Sequence, residues 1–337
     1  MAKCNIIPIF IPFSGCPIKC VYCDQNRITG ASSFKTGEDV REEILEGLHR
    51  MGSDSAEAAF YGGTFTMLSL ERQTELLSAV EPFIKSGDIS SIRLSTRPEQ
   101  LTSEDFTRLK AAGVKTIEFG IQSIDHQVLS ESMRGLDLAT MEKTVRLAKS
   151  HGLSLGLQQM IGLPEDTYEK DLETAKWIVQ YADFVRIYPT VVFENTALYE
   201  RYLEGGYQPL SLNKAIAISA DLLDFYERHH IPVIRVGLPQ MDREDYIEGP
   251  YDDNFREFAE SKRRVDKILR LYDSIGEIGA SSGEINLIIG PRGYGRKLLE
   301  DRFGPIRFNV LKDETNGSVI IKERWCYALN WNGIIRL

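Results

Sequence analysis

Six apolar segments rich in β-branched residues alternate with helical patterns between Asn5 and Val192. In chain order they read NIIPIFIPF, AEAAFYGG, SSIRLST, VKTIEFGIQS, LSLGLQQMIG and DFVRIYPTVV. Strands that alternate with helices and are apolar along most of their length indicate a parallel sheet covered by helices. Six such units build either an open doubly wound sheet or an incomplete (β/α) barrel. Both fold types place their chemistry at the carboxyl ends of the strands.

Two capping-box spacings support the helices in this alternation. Thr36 with Asp39 precedes VREEILEGL, and Thr102 with Asp105 precedes FTRLKAAG. In a capping box the first side chain accepts a hydrogen bond from the backbone N–H three residues later, and the second side chain accepts one in return. We therefore expect helices to begin at these two positions.

Length and charge set the broad class. A chain of 337 residues is long enough for one large core, or for a large and a small domain. The formal net charge of −9 gives no overall positive field, so any contact with nucleic acid requires a local basic patch. The amino-terminal apolar run is broken by Pro8 and Pro12, which argues against a signal peptide or a membrane span. We expect a cytoplasmic protein with no membrane partner.

Three of the five cysteines, Cys16, Cys20 and Cys23, lie within the eight residues CPIKCVYC. A structural zinc site normally closes with four protein ligands. The remaining cysteines, Cys4 and Cys326, have no cysteine or histidine at ligand spacing and are interpreted as ordinary side chains. A cubane iron–sulfur cluster normally takes four thiolates, so three cysteines leave one iron open for another ligand.

The spacing Cys16-x3-Cys20-x2-Cys23, with Tyr22 before the last cysteine, resembles the signature of the radical S-adenosylmethionine superfamily. In that family three cysteines hold a 4Fe-4S cluster, and S-adenosylmethionine chelates the open iron. Electron transfer from the reduced cluster cleaves S-adenosylmethionine to methionine and a 5'-deoxyadenosyl radical. The resemblance implies that Cys16, Cys20 and Cys23 are the metal ligands, and that a flavodoxin or ferredoxin is the electron donor.

Further motifs of the family follow in the same order and imply which residues contact S-adenosylmethionine. They are FYGGTF, STRPEQL, IEFGIQS and MIGLP, with the glycines of the first motif at the methionine end and the last motif at the adenine side. The implied cofactor-binding residues are Tyr22, Gly62, Gly63, Thr64, Ser95, Arg97, Gln122 and Ile161. Ser95 stands where related sequences usually carry an acid, and a surface arginine is the simpler interpretation of Arg97. No residue is predicted to be catalytic.

A narrower resemblance extends over roughly residues 5 to 260. CDQNRITG, FYGGTF, STRP, EFGIQS, MRG, GLPEDTYEKD and RIYPTVVFENTALYERYLEGGYQPLS are similar to the radical domain of the Elongator catalytic subunit and its bacterial relatives. In that family the substrate is the wobble uridine of tRNA, and an acetyltransferase domain takes part. This sequence ends at Leu337, so we expect no acetyltransferase domain. It also has Asp252 and Asp253 where relatives often have His-Pro.

The carboxyl-terminal segment INLIIGPRGYGRKLLEDRFGPIRFNV contains Gly-Pro-Arg-Gly ahead of a helical pattern and an alternating strand. It is similar to the KH module, whose Gly-x-x-Gly loop clamps a single-stranded nucleic-acid backbone. Basic side chains at the loop supply the local patch that the net charge does not. The candidate RNA-binding residues are Gly290, Arg292, Gly293, Arg296 and Lys297. The alternative is an ordinary strand, loop and helix with a glycine turn.

The sequence therefore predicts an α/β protein with a partial (β/α)6 TIM-like barrel over residues 1–275 and a small KH-like α/β module over residues 276–337. The predicted function is a radical S-adenosylmethionine enzyme that abstracts hydrogen from an RNA nucleotide, in tRNA. Two alternatives stay open. One is radical chemistry on a small molecule such as a porphyrinogen, and the other is a non-catalytic iron–sulfur protein that binds RNA.

Overall fold

A computed structural model describes residues 5–25, 34–52, 56–241, 244, 246–311, 318–322, 326–330 and 333–336. Cys4 lies outside these residues. The chain folds into two compact units, one of residues 1–211 and 226–251 and the other of residues 212–225 and 252–337. Each unit contains one sheet of the described strands.

The first sheet consists of parallel strands in sequential order. Its described strands are β1 (Asn5–Phe10), β2 (Ala56–Tyr61), β3 (Ile89–Thr96), β4 (Val114–Gln122), β5 (Ser154–Ile161), β6 (Phe184–Pro189) and β7 (Val233–Val236). A doubly wound sheet reverses its strand order at a switch point, and this sheet does not. The sequential order is therefore that of a partial (β/α) barrel. The prediction of six strands omitted β7, a four-residue strand.

Helices occupy the connections between these strands. They are α1 (Gly37–Met51), α2 (Leu70–Ser86), α3 (Ser103–Ala111), α4 (His126–Glu131), α5 (Leu138–Ser150), α6 (Tyr168–Ile178), α7 (Ala197–Leu203) and α8 (Leu212–Arg228). Both predicted capping boxes are confirmed, with Thr36 and Asp39 at the start of α1 and Thr102 and Asp105 at the start of α3. No described helix has the length and apolar character needed to cross a membrane.

The two faces of the parallel sheet differ in polarity. Successive side chains of a strand point to opposite faces, and right-handed connections in sequential order place the helices on one face. On β3, Ile92 and Leu94 are fully buried, and they alternate with Ser91, Arg93 and Ser95. The polar set therefore lies on the opposite side of the sheet, which we name the inner face.

The second unit has a mixed sheet with helices. Besides residues 212–225 of α8, its described elements are α9 (Phe255–Leu271), β8 (Glu277–Ala280), α10 (Ser282–Ile289), α11 (Tyr294–Phe303), β9 (Arg307–Val310), β10 (Ser318–Lys322), β11 (Cys326–Asn330) and β12 (Gly333–Arg336). The strand order is β12-β11-β10-β8-β9, in which β8 and β9 are parallel and the other neighbours are antiparallel. Cys326 lies at the first position of β11.

Helix α9 belongs to the second unit, which differs from the predicted domain boundary between residues 275 and 276. Val265 and Ile268 of α9 are fully buried in one hydrophobic cluster with Ile278 of β8 and Leu299 of α11. An amphipathic helix must bury its apolar face against a core, and this one does so against the small sheet. The sequence pattern predicted the helix and assigned it to the preceding domain.

Candidate functional site

A tight loop of residues 11–25, which we name the cysteine loop, follows β1. The N–H of Ser14 donates to the carbonyl of Ile11 over 3.1 Å, and the N–H of Thr64 donates to the carbonyl of Ser14 over 2.8 Å. Gly15 has φ 74°, and a Cβ there would lie 2.3 Å from the carbonyl oxygen of Thr64. Because only glycine fits both constraints, Gly15 lets the loop curl back onto the segment that follows β2.

Gly62, Gly63 and Thr64, predicted to meet the methionine end of the cofactor, lie against the cysteine loop. A Cβ on Gly63 would lie 2.5 Å from the carbonyl oxygen of Ser14. The Thr64 hydroxyl lies 3.3 Å from the sulfur of Cys16. Gly62 has φ 90°, a conformation that side chains rarely adopt. The glycine pair therefore permits close backbone approach and brings Thr64 to the first cysteine.

The three predicted metal ligands are free thiols, with Cys20 buried and Cys16 and Cys23 partly exposed. Within the described residues, no three His, Cys, Asp or Glu side chains are arranged to hold a single metal ion. A cubane cluster held by three thiolates keeps one iron open for another ligand, and the cysteine loop supplies three thiols.

Arg134, between α4 and α5, reaches the middle cysteine. Its Nη1 lies 3.5 Å from the sulfur of Cys20 and 3.5 Å from the hydroxyl oxygen of Tyr22. Its Nη2 donates to the carbonyl of Gly120 on β4. The arginine is only 3% exposed. The sequence analysis assigned it no role, although it places a buried positive charge beside one cluster ligand.

Arg97 lies at the same sulfur and is not a surface residue. Its Nη1 is 3.8 Å from Cys20 Sγ, its Nη2 donates to the carbonyl of Arg134, and its Nε donates to Glu99 over 2.7 Å. It is 6% exposed. The simpler interpretation of Arg97 is therefore wrong, because strand β3 ends beside the cysteine loop.

Burial changes the pKa values of the ionisable groups in this corner. Burial, with the charges of Cys20 and Cys16, raises the pKa of the Cys23 thiol to about 12. Burial also raises the pKa of Tyr22 well above its usual value. Burial alone would lower the pKa of Arg134, but its interactions with Tyr22 and Cys20 outweigh burial and raise that pKa. The guanidinium therefore stays charged, and the thiols lose their protons when they bind metal.

The other predicted cofactor residues lie at strand ends without hydrogen bonds to the cysteines among the described contacts. Gln122 ends β4 with φ 70°, at an irregularity of the β4–β5 pairing, and its Oε1 accepts from Gln158 over 3.1 Å. Ser95 lies on the inner face of β3, opposite Glu118 in the register. Ile161 ends β5, fully buried, and its carbonyl accepts from Thr190.

A charged network that the sequence analysis did not predict crosses the inner face. Arg93 Nη2 lies 2.6 Å from Glu57, and its Nη1 lies 2.9 Å from Glu118. Arg186 lies 2.5 Å from the other oxygen of Glu118, and Tyr61 donates to Glu118 over 3.1 Å. The two arginines neutralise the two glutamates.

The network is largely buried, and the charges within it keep Arg186 protonated and Tyr61 neutral. Burial by itself would lower the pKa of Arg186, but the charge of Glu118 outweighs it and raises that pKa. Burial, followed by the charge of Glu118, raises the pKa of Tyr61. A neutral tyrosine and a charged arginine thus line the inner face below the strand ends. The signal in the sequence was a charged residue inside an otherwise apolar run, seen at Glu57, Arg93, Glu118 and Arg186.

Asp166, half-buried and beside the buried Asp171, accepts hydrogen bonds from the turn after β5, where the MIGLP motif lies. Asp166 accepts from the N–H of Gly162 over 3.1 Å and from the N–H of Thr167 over 2.9 Å. Burial raises the pKa of Asp166 to about 6, and burial together with the charge of Asp166 raises the pKa of Asp171 to about 10. The two carboxyl groups share a hydrogen bond, so the pair holds a proton at neutral pH.

The candidate RNA-binding residues connect α10 to α11 in the second unit. The Gly-Pro-Arg-Gly turn joins two helices, so the alternative of a strand before the loop is wrong. Arg292, with φ 52°, is exposed and pairs with Asp252 over 3.0 Å. Arg296 stacks over the ring of Phe308 with its guanidinium carbon 4.9 Å from the ring centre. Arg296 and Lys297 are exposed on α11, whereas the charge of Arg292 is already paired.

Comparison with known families and proteins gives matches along the chain. A family model of the Radical SAM superfamily matches residues 10–178, and one of the Radical_SAM C-terminal domain matches residues 182–267. A tRNA uridine(34) acetyltransferase of Methanocaldococcus jannaschii is 27% identical over 197 residues, 52% of this chain and 36% of that protein. The heme chaperone HemW of Haemophilus influenzae is 25% identical over 261 residues, 74% of this chain and 65% of that protein.

Solved structures share the fold. Elp3 of Methanocaldococcus infernus aligns with a TM-score of 0.61 and 18% identity, over 97% of this chain and 75% of that one. Coproporphyrinogen III oxidase HemN of Escherichia coli aligns with a TM-score of 0.50 and 14% identity, over 95% of this chain and 66% of that one. The chain thus spans well under two thirds of the length of the acetyltransferase relative. Its fold is shared both by Elp3 and by HemN.

The cofactors of the matched family, a 4Fe-4S cluster and S-adenosylmethionine, fit the residues of the cysteine loop. The loop offers three free thiols, and buried guanidinium groups lie beside the sulfur of Cys20. Such groups stabilise the negative charge of a thiolate-ligated cluster. The family model covers half of the residues and includes this loop. The chain belongs to the radical S-adenosylmethionine superfamily.

Proposed function

We propose that this protein is a radical enzyme that abstracts a hydrogen atom from a nucleotide of RNA, in tRNA. The cysteine loop supports the radical chemistry, because its three thiols can bind three irons of a cubane cluster and the fourth iron then stays open for S-adenosylmethionine. The sequence relatives support the RNA substrate, since one of them is a tRNA uridine(34) acetyltransferase. The single observation that carries the proposal is the cysteine loop within a chain related to that enzyme.

The residues of the loop have distinct proposed roles. Cys16, Cys20 and Cys23 hold the cluster, and Thr64 and Gly63 shape the place where the methionine end of the cofactor binds. When bound there, the cluster and S-adenosylmethionine would supply a 5'-deoxyadenosyl radical, and a flavodoxin or ferredoxin would be the electron donor.

The adenine side of the cofactor is assigned to the ends of β4 and β5. Gln122 presents a side-chain amide there, and Ile161 leads into the turn that the acid pair holds. Tyr22, Ser95 and Arg97 complete the set on the cluster side. The charged inner face gives the substrate space polar walls with no net charge, which suits a nucleobase.

The basic positions of the second unit are the proposed RNA contacts. Arg296 and Lys297 are exposed on α11, next to the glycine turn that Gly290 and Gly293 form. Phosphate groups bind such side chains through charge and hydrogen bonds, and the binding weakens as salt concentration rises. Arg292 exchanges its partner Asp252 for a phosphate in this proposal.

A second candidate function comes from the heme chaperone HemW, with which the chain shares 25% identity over 74% of its length. Under that alternative the protein binds haem or another small molecule and does not act on RNA. The two functions differ in what stimulates cofactor cleavage and in which ligand binds.

The test is formation of 5'-deoxyadenosine by anaerobically reconstituted protein with dithionite, with and without total tRNA. The proposal expects more product when tRNA is present, no product from Cys20→Ala, and loss of tRNA stimulation in Arg296→Ala with Lys297→Ala. Product that does not respond to tRNA would contradict the RNA substrate and leave a small molecule. Absence of product from fully loaded protein, together with tight haem binding, would support the second candidate.

A further inference from the structure

Hydrogen-bond donors are concentrated on one sulfur of the cysteine loop. Cys20 Sγ lies 3.5 Å from Arg134 Nη1 and 3.8 Å from Arg97 Nη1, and it also meets the hydroxyl of Tyr22. Cys16 Sγ, in contrast, meets a threonine hydroxyl at 3.3 Å. Two of the three groups at Cys20 carry full positive charge. The environments of the cluster ligands are therefore unequal.

Arg134 is held in place at several points. Its Nη2 donates to the carbonyl of Gly120, and its own carbonyl accepts from Arg97. Its Nε is buried without a hydrogen-bond partner among the described residues. The side chain of Arg134 is thus fixed and desolvated beside a future thiolate. A desolvated charge acts more strongly than an exposed one, because little water screens it.

We propose that Arg134 is a positioning residue that fixes the Cys20 thiolate and raises the reduction potential of the cluster. Reduction adds one electron to a cluster whose three thiolates already carry negative charge. A guanidinium that donates to a ligand sulfur stabilises the added charge and favours the reduced form. Arg134 acts through Cys20 and not on the substrate, so the inference is independent of the proposed RNA function and rests only on the cluster of the family.

The test is a redox titration of the reconstituted full-length protein without S-adenosylmethionine or RNA, followed by electron paramagnetic resonance. Arg134→Gln removes the charge, and we expect the equilibrium constant for reduction to fall at least tenfold, a shift of 59 mV for one electron. Arg134→Lys keeps the charge but lacks the planar guanidinium group, so its potential is expected to lie between those of the wild type and of Arg134→Gln. Arg146→Gln, an exposed arginine of α5, is the matched control and is expected to leave the potential unchanged.

Iron and sulfide are counted for every variant, so that loss of the cluster is distinguished from a change in potential. If Arg134→Gln binds no cluster, Tyr22→Phe decides, because it removes only one donor from the same sulfur. In that case we expect both Tyr22→Phe and Arg134→Lys to lower the reduction potential relative to the wild type, by less than about 59 mV. Wild-type potential in a fully loaded Arg134→Gln would overturn the inference. So would unchanged potentials of both Tyr22→Phe and Arg134→Lys.

A further result separates this role from direct cofactor contact. If Arg134→Gln keeps the wild-type potential but no longer shows the spectral change that S-adenosylmethionine causes, the arginine acts on that cofactor and the inference is wrong. Because the potential is measured without RNA, a failed RNA proposal leaves this result unaffected.

Discussion

Replacement of Gly63 by alanine tests whether the glycine motif after β2 exists to let two backbone segments meet. A Cβ on Gly63 would lie 2.5 Å from the carbonyl oxygen of Ser14 and 2.6 Å from that of Ile11. Ordinary contact begins at 3.4 Å, so the segments must separate by 3.4 minus 2.5, or about 0.9 Å. Neither oxygen belongs to a side chain that can rotate away. Since Gly63 has no positive φ, the effect is purely steric.

The expected cost follows from two contributions. Overpacking of this kind costs about 1–3 kcal/mol. The hydrogen bond from Thr64 N–H to the Ser14 carbonyl, 2.8 Å long, is lost or lengthened, which adds about 1 kcal/mol. We expect Gly63→Ala to lower the free energy of unfolding by about 2–4 kcal/mol. Because unfolding of 337 residues carries an entropy of about 0.7 kcal/mol/K, the melting temperature should fall by about 3–6 °C.

Two assays measure this variant: thermal unfolding by circular dichroism, and iron bound per chain after anaerobic reconstitution. Because the cysteine loop is displaced, we expect reduced iron binding as well as reduced stability. Gly206→Ala is the matched control, since its nearest contact is a carbonyl at 3.5 Å and its φ is not positive. Gly63→Ala with the melting temperature and iron content of the control would refute the steric argument.

Three further substitutions test other parts of the structure. Asp171→Asn should flatten the pH dependence of stability. Because both folded-state pKa values are raised, wild-type stability falls as pH rises from about 4, the ordinary carboxyl value, and the fall ends near pH 6 for Asp166 and near pH 10 for Asp171. Urea unfolding between about pH 4 and 10 measures this slope, and an equal slope in the variant would contradict the prediction. Gly295→Ala would place a Cβ 2.0 Å from a carbonyl oxygen of α10 and should destabilise the second unit by about 3 kcal/mol. Gly276→Ala is the control, because no atom lies within 4 Å of the Cβ it would add. Equal melting temperatures of the two variants would contradict this prediction. Arg186→Met leaves Glu118 with one fewer cation and should cost about 3–5 kcal/mol by chemical denaturation; a loss below about 1 kcal/mol would show that the network is not stabilised by that pair.

The barrel could be predicted because its strands are marked in the sequence. Strands β1 to β6 are apolar runs separated by helical patterns, and Gly and Pro residues bound several of them. The run Val233–Val236 is four residues long and only its last residue is buried, so its pattern is too short to distinguish from a loop. The local pattern alone does not determine strand order, because both candidate architectures share it, and the choice of the barrel rested on the resemblance of the motifs.

The cysteine loop was predictable from its spacing, and the motifs placed Thr64 and Arg97 in the site, but the contacts of two arginines with Cys20 were not predictable. Arg134 contacts Cys20 across 114 residues of sequence, and no local pattern reports such a contact. It follows a short helix, where an arginine usually faces solvent. Arg97 ends a strand, and its position at the sulfur depends on how far the cysteine loop curls back. Long-range geometry, and not residue type, assigns both arginines to the site.

The carboxyl-terminal turn shows the limit of a short motif. The glycines and the following helix were predicted, and the turn does join two helices beside a mixed sheet. The sequence did not show that Asp252 pairs with Arg292, because 40 residues separate them. The positive charge expected at the loop is therefore partly neutralised at Arg292, while Arg296 and Lys297 are exposed on α11.

The most direct measurement of the central claim is transfer of deuterium from RNA to 5'-deoxyadenosine. Perdeuterated tRNA is mixed in ordinary water with reconstituted protein, dithionite and unlabelled S-adenosylmethionine, and the product is analysed by mass spectrometry. Hydrogen abstraction from a nucleotide predicts 5'-deoxyadenosine that carries deuterium, and none from Cys20→Ala. Unlabelled 5'-deoxyadenosine formed in the presence of perdeuterated tRNA would contradict the claim, because the abstracted hydrogen would then come from elsewhere.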